Sequence, residues 1–134
     1  MPKKKNEESI TITALEEDLL TALFSKELYG LQIINAINDA SKGKRQIGFG
    51  SLYPTLHRME KKGLVKARWG EQTDPESGGA RRKYYIVTGL GEQVLQETQE
   101  YRAQLAGWKP ALIERLGFVR LVFSQRQSTG ALEL

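Results

Sequence analysis

One stretch limits the folds open to this chain more than any other: Gly48-Phe49-Gly50-Ser51-Leu52-Tyr53-Pro54-Thr55-Leu56-His57-Arg58-Met59-Glu60-Lys61-Lys62-Gly63-Leu64. Leu52, Leu56 and Met59 recur at i, i+4 and i+7, the spacing of one buried helical stripe. At about 100° per residue, Pro54, His57, Arg58 and Lys61 fall on the opposite side. Proline is tolerated in a first helical turn and disruptive deeper in, which puts the helix start near Ser51; a looser turn from Gly48 is the alternative. Gly63 closes it, because glycine accepts the left-handed conformation of a helix end. Such a helix is either a plain surface helix over a core or one laid into a DNA groove.

Charge bears on that choice. The chain carries +4 overall, unevenly spread. Residues 42–69 hold eight basic side chains (Lys42, Lys44, Arg45, Arg58, Lys61, Lys62, Lys66, Arg68) against Glu60 alone, a local +7. Residues 70–83 balance, so the rest of the chain carries −3. A basic segment on an otherwise slightly acidic protein is the footprint of a polyanion partner. A solvated charged surface is the plainer alternative.

The 134 residues suit one domain with an extension. With no cysteine and His57 as the single histidine, disulfides, thiolate metal sites and multi-histidine sites are excluded. No metal or cofactor is expected. No apolar run approaches the ~18 residues of a membrane span, and no signal-peptide pattern opens the chain. The expectation is a soluble cytoplasmic protein with no membrane partner.

In chain order, residues 1–12 read as a basic tail. Its Lys3, Lys4 and Lys5 can solubilise a disordered end or reach a minor groove. A first helix is expected over 13–25, opened by Thr13 and Glu16 at capping-box spacing, with Leu15, Leu19, Leu20, Leu23 and Phe24 apolar. A second is expected over 29–41, with Leu31, Ile33, Ile34 and Ile37 apolar. A connector over 42–50 allows a brief strand at Ile47, and the central helix follows. Val65, Ala67 and Trp69 alternate with polar or small neighbours, as in a half-buried strand. Residues 73–80 are turn-rich, and Lys83-Tyr84-Tyr85-Ile86-Val87 reads as the returning strand. Thr88 can cap a last helix, with Leu90, Val94, Tyr101, Leu105 and Trp108 on one stripe; Pro110 should end or kink it. Residues 111–116 allow a short continuation closed by Gly117, and 118–134 form a tail whose Phe-Val-Arg-Leu-Val-Phe run has no assigned place.

Three helices and then a hairpin is the order of a winged helix-turn-helix. The expected fold is mainly α with a small β-hairpin: a DNA-binding domain over 13–88 and a long C-terminal dimerisation helix within 89–117. The third helix is the reading helix. The wing tip, Gly78-Gly79-Ala80-Arg81-Arg82-Lys83, joins pliant backbone to three successive cations that suit phosphate or a narrow minor groove.

Leu28-Tyr29-Gly30, Gly50-Ser51-Leu52-Tyr53-Pro54-Thr55-Leu56-His57-Arg58-Met59-Glu60, Gly63-Leu64 and Gly78-Gly79-Ala80-Arg81-Arg82-Lys83-Tyr84-Tyr85 together resemble the PadR family of transcriptional regulators, over about residues 13–108. The resemblance implies a winged-helix DNA-binding domain, a homodimer joined through the last helix, and usually repression. Ile47-Gly48-Phe49-Gly50-Ser51 and Trp69-Gly70-Glu71 are similar to the cyanobacterial period-extender proteins, PadR-like repressors of a circadian-clock gene. The region after the last long helix is short compared with larger PadR members, which argues against an elaborate sensing domain.

The candidate DNA contacts are Ser51, Tyr53, Pro54, Thr55, His57 and Arg58 on the reading helix, with Arg81, Arg82 and Lys83 on the wing. Ser51 and Thr55 can donate to phosphates or base edges, and Arg58 can take guanine or phosphate. Tyr53 can instead pack between helix and wing, His57 can make a local hydrogen bond, and one wing cation can bond within the wing. Lys61 and Lys62 also favour the dipole at the helix end. Pairing of the last helix with a symmetry mate would cover its stripe and set two reading helices ~34 Å apart on a roughly palindromic site of double-stranded DNA. A pocket beside Trp108 for a flat small-molecule effector, and use of the winged helix as a protein-docking module, are the competing readings. Catalysis has little support. Gly48-x-Gly50 and Gly89-x-Gly91 lack the third glycine of a nucleotide loop, and Ser51 and His57 have no positioned acid.

Overall fold

The computed structural model describes residues 10–71 and 81–111. The chain divides into two compact units, Met1–Glu100 and Tyr101–Leu134. Among the described residues there are four helices and one three-stranded antiparallel sheet, in a mainly α winged-helix arrangement.

Helix α1 spans Ala14–Leu23. Thr13 caps it through a reciprocal box: Glu16 N–H donates to Thr13 Oγ1 at 3.1 Å, and Thr13 N–H donates to Glu16 Oε1 at 2.9 Å. Leu19, Leu20 and Leu23 are fully buried. Phe24 is not: backbone past the helix end is extended there, and the ring turns out to solvent.

Strand β1, Leu28–Tyr29, is followed at once by helix α2, Gly30–Ala40. The spacing argument missed β1 because two residues carry no period. Its partner is β3, with Leu28 opposite Tyr85 and Tyr29 opposite Tyr84. Ile33 and Ile37 of α2 enter the core, while Leu31 is exposed. Ile47 forms no strand; it is half-buried against the core.

Helix α3 spans Phe49–Lys61. It opens two residues before Ser51, from the alternative start at Gly48, which is its N-cap, and this leaves Pro54 inside the helix. The Gly50 carbonyl loses the donor that proline lacks, and both residues are exposed, so that carbonyl stays in water rather than orphaned in the core. Leu52, Leu56 and Met59 are fully buried, as their spacing requires. Burial of each such side chain is worth roughly 1.5–3 kcal/mol. Gly63, at φ +79°, ends the helix in the left-handed region.

Strands β2, Val65–Trp69, and β3, Lys83–Val87, pair antiparallel, with Val65 opposite Val87 and Trp69 opposite Lys83; the sheet order is β1-β3-β2. Helix α4 spans Gly89–Gly107. It stops before Trp108-Lys109-Pro110, because the residue preceding a proline disfavours helix, and Ala111 is not helical. Among the described residues no helix is long and apolar enough to cross a membrane. The expectations for Lys3, Lys4 and Lys5, for the glycines of the wing tip and for 112–134 lie outside the described residues.

Candidate nucleic-acid interface

The exposed side of α3 carries Ser51, Tyr53, Pro54, His57, Arg58 and Lys61. Thr55 does not belong with them. It lies three residues after Leu52 and four before Met59, on the buried stripe, and is 3% exposed. Its hydroxyl donates to the Ser51 carbonyl at 2.8 Å and accepts from Arg58 Nη2 at 3.1 Å. Thr55 is thus corrected from a DNA donor to a brace for Arg58.

The basic segment is thinner in space than in sequence. Arg45 pairs with Asp18 of α1. Lys62 Nζ lies 2.9 Å from the buried Glu16. Arg68 grips Glu27 with two bonds of 2.6 Å, which lower the Glu27 carboxyl and raise the guanidinium from their ordinary values. Those three cations are committed to acids far away in sequence, and spacing along the chain gave no sign of it.

The wing base holds its cations over aromatic rings. Arg81 lies 5.6 Å from the Trp69 ring centre and donates from Nε to the Gly70 carbonyl at 3.2 Å. Arg82 lies 4.3 Å over Tyr29. Lys83 lies 5.6 Å from Trp69 and 5.8 Å from Tyr85. Ring faces attract cations without neutralising them. Among the described residues no carboxylate pairs with Arg81 or Lys83. All three wing cations make contacts inside the wing or with β1. Tyr29 and Trp69 were not anticipated as their supports; the aromatic residues interleaved with wing cations were the available signal.

Tyr53, His57 and Glu60 of α3 line one groove together with Arg81, Arg82 and Lys83, a space of about 460 Å³. Tyr85 lines it too, with its hydroxyl pushed up to about 12 by burial first, then by Glu60 and Tyr53. The two halves of the predicted DNA site therefore share a wall. Glu60 is the acid among them.

The candidate dimer residues separate. Val94 is 3% exposed and, with Leu95, belongs to the core of the first unit, so it is corrected from interface to core. Leu90, Tyr101, Leu105 and Trp108 are exposed.

The family model of the PadR-like transcriptional regulators matches residues 19–97, which takes in α3 and both wing strands. The chain belongs to this family. PadR-like neighbours of known structure agree in fold. A PadR-like transcription factor from Bacteroides fragilis is 31% identical, with a TM-score of 0.61, over 69% of this chain and 84% of that one. A PadR family regulator from Eggerthella lenta is 28% identical, TM-score 0.58, over 69% and 75%. An uncharacterised protein of Lysinibacillus sphaericus is 34% identical over 83 residues, 62% of this chain and 72% of that one. Membership in PadR makes this a DNA-binding protein of transcription regulation.

Proposed function

We propose that the chain is a dimeric repressor that seats α3 in the major groove of a palindromic operator while the wing base holds the adjoining backbone. The observation that carries the proposal is the groove in which Tyr53 and His57 of α3 meet Arg81, Arg82 and Lys83. Ser51, Pro54, His57 and Arg58 face the base edges, and Arg58 takes guanine or phosphate, braced by Thr55. The wing cations neutralise phosphates. Tyr101, Leu105 and Trp108 of two chains pair, and Leu90 is a further candidate for the dimer contact. The operator is read in the cytoplasm, and no cofactor is needed. The wording Ile47-Gly48-Phe49-Gly50-Ser51 supports a circadian-clock gene as the first target to try.

The test is a salt series on a selected operator duplex. Arg81→Ala and Arg82→Ala should each flatten the log–log salt slope by roughly one unit per lost phosphate contact. Arg58→Ala should cost about 1–3 kcal/mol and relax choice at one position. Slopes equal to that of the unmodified chain would remove the wing from the interface.

A further inference from the structure

We infer that Phe49 reads a thymine in each half of the operator, by apolar contact with its 5-methyl group; the inference rests on the reading of α3 as the groove-seated helix. Phe49 is the first residue of α3, directly after the N-cap Gly48. Its large apolar ring is 48% exposed and outside the core cluster. A single exposed apolar residue needs no explanation. This one is stacked against a neighbouring ring.

Its ring lies 5.6 Å from that of Tyr53, at 11°, in a stacked pair one turn apart. Tyr53 in turn lays its hydroxyl end over Gly30, where a Cβ would stand 2.2 Å from the hydroxyl oxygen. The stack on Tyr53 favours one placement of the Phe49 ring, which lowers the ordering entropy left to lose on binding. The position is also the one that matters. In helix-turn-helix proteins the N-terminal residues of the third helix reach the base edges. A phenyl ring has neither donor nor acceptor, and the apolar group the major groove offers is the thymine methyl.

The experiment uses the full chain and a duplex selected from random DNA. Each thymine of one half-site is replaced in turn by deoxyuridine, which lacks only the methyl. The unmodified chain should lose about fourfold in affinity at one position, the weight of one methyl returned to water. Phe49→Ala should bind the thymine and deoxyuridine duplexes alike there while keeping its preferences elsewhere. If that variant fails to fold, Phe49→Gln is read in its place with the same expectation. A chain that selects no sequence overturns the reading of α3 and the thymine contact with it. A chain that selects a sequence but ignores every methyl overturns the thymine contact alone, as does a methyl penalty that survives in the Phe49 variants.

Discussion

Lys62, just past the end of α3, donates to Glu16 of α1 at 2.9 Å across 46 residues of sequence. The acid side chain is 2% exposed and the lysine 38%. One carboxylate therefore does two things: Oε1 takes the Thr13 N–H that starts α1, and Oε2 holds the trailing end of α3.

Lys62→Met should expose the cost of that arrangement. Breaking a fully buried pair costs roughly 3–5 kcal/mol, but water reaches this ammonium, so about 1–3 kcal/mol at neutral pH is expected from urea unfolding. Acid should erase the difference. Burial pushes Glu16 up, but the Thr13 N–H, the bond and charge of Lys62 and the charge of Arg58 outweigh it, leaving the carboxyl below its ordinary 4.5. Stability from the ionised form is then complete above that value and lost as pH falls through the lower folded one. The deficit of Lys62→Met should shrink over the same range. A deficit that stays constant into that range would mean the lysine acts by packing alone.

Thr88→Val tests the joint between α3 and α4. The Thr88 hydroxyl donates to the Gly63 carbonyl at 2.6 Å and accepts from the Gly91 N–H at 3.0 Å, while its own N–H reaches the Leu64 carbonyl at 3.0 Å. Valine keeps the shape and loses the first two. A cost of about 1–2 kcal/mol in thermal unfolding is expected, as for other lost caps. DNA affinity measured well below the transition should hold; a large loss of affinity at full folding would show that the joint sets the pose of α3.

What the sequence disclosed was local. Leu52, Leu56 and Met59 announce a buried stripe by arithmetic, Thr13 and Glu16 a capping box, and Val65, Ala67 and Trp69 a strand. The same arithmetic places Thr55 on the stripe, but its hydroxyl suggested a DNA donor; position outweighed chemistry. Strand β1 was too short to show a period and exists only because Tyr84 and Tyr85 are there to pair with it. Glu16 with Lys62 and Glu27 with Arg68 join residues 46 and 41 positions apart, and no spacing rule reaches that far. Val94 illustrates the other limit: one helical stripe can serve the core at its first turns and something else further on.

Gly30→Ala separates folding from binding. The added methyl would collide with the Tyr53 hydroxyl at 2.2 Å and Cζ at 2.8 Å. Alanine favours helix by up to about 1 kcal/mol over glycine, and the ring can swing into water, so net stability should move by less than about 1 kcal/mol. Binding should weaken, because Tyr53 leaves the groove and Phe49 loses its stacking partner. In a Tyr53→Ala background the same substitution should change nothing in a gel shift. Equal losses in both backgrounds would show that Gly30 acts through the α2 backbone rather than through the ring.

The last prediction concerns the exposed end of α4 and what lies just past it. Tyr101, Leu105 and Trp108 follow one another at i, i+4 and i+7, with exposures of 62%, 60% and 70%. Tyr101 and Leu105 on one helical stripe and Trp108 just past it are costly to leave in water, and in the proposed dimer a twofold partner would present the same three in return. Leu105→Glu sets two like charges opposite each other at the middle of such a contact. Sedimentation should shift from dimer to monomer, while Val94 and Leu95, buried on the first unit's core, keep that unit folded. Affinity for a single half-site should survive, and affinity for the full palindrome should fall by about 10²–10⁴, because the second half-site is no longer captured within one molecule. A dimer that persists in this variant would mean that the chains pair through another surface, and the ~34 Å spacing of the reading helices would then have to be set from there.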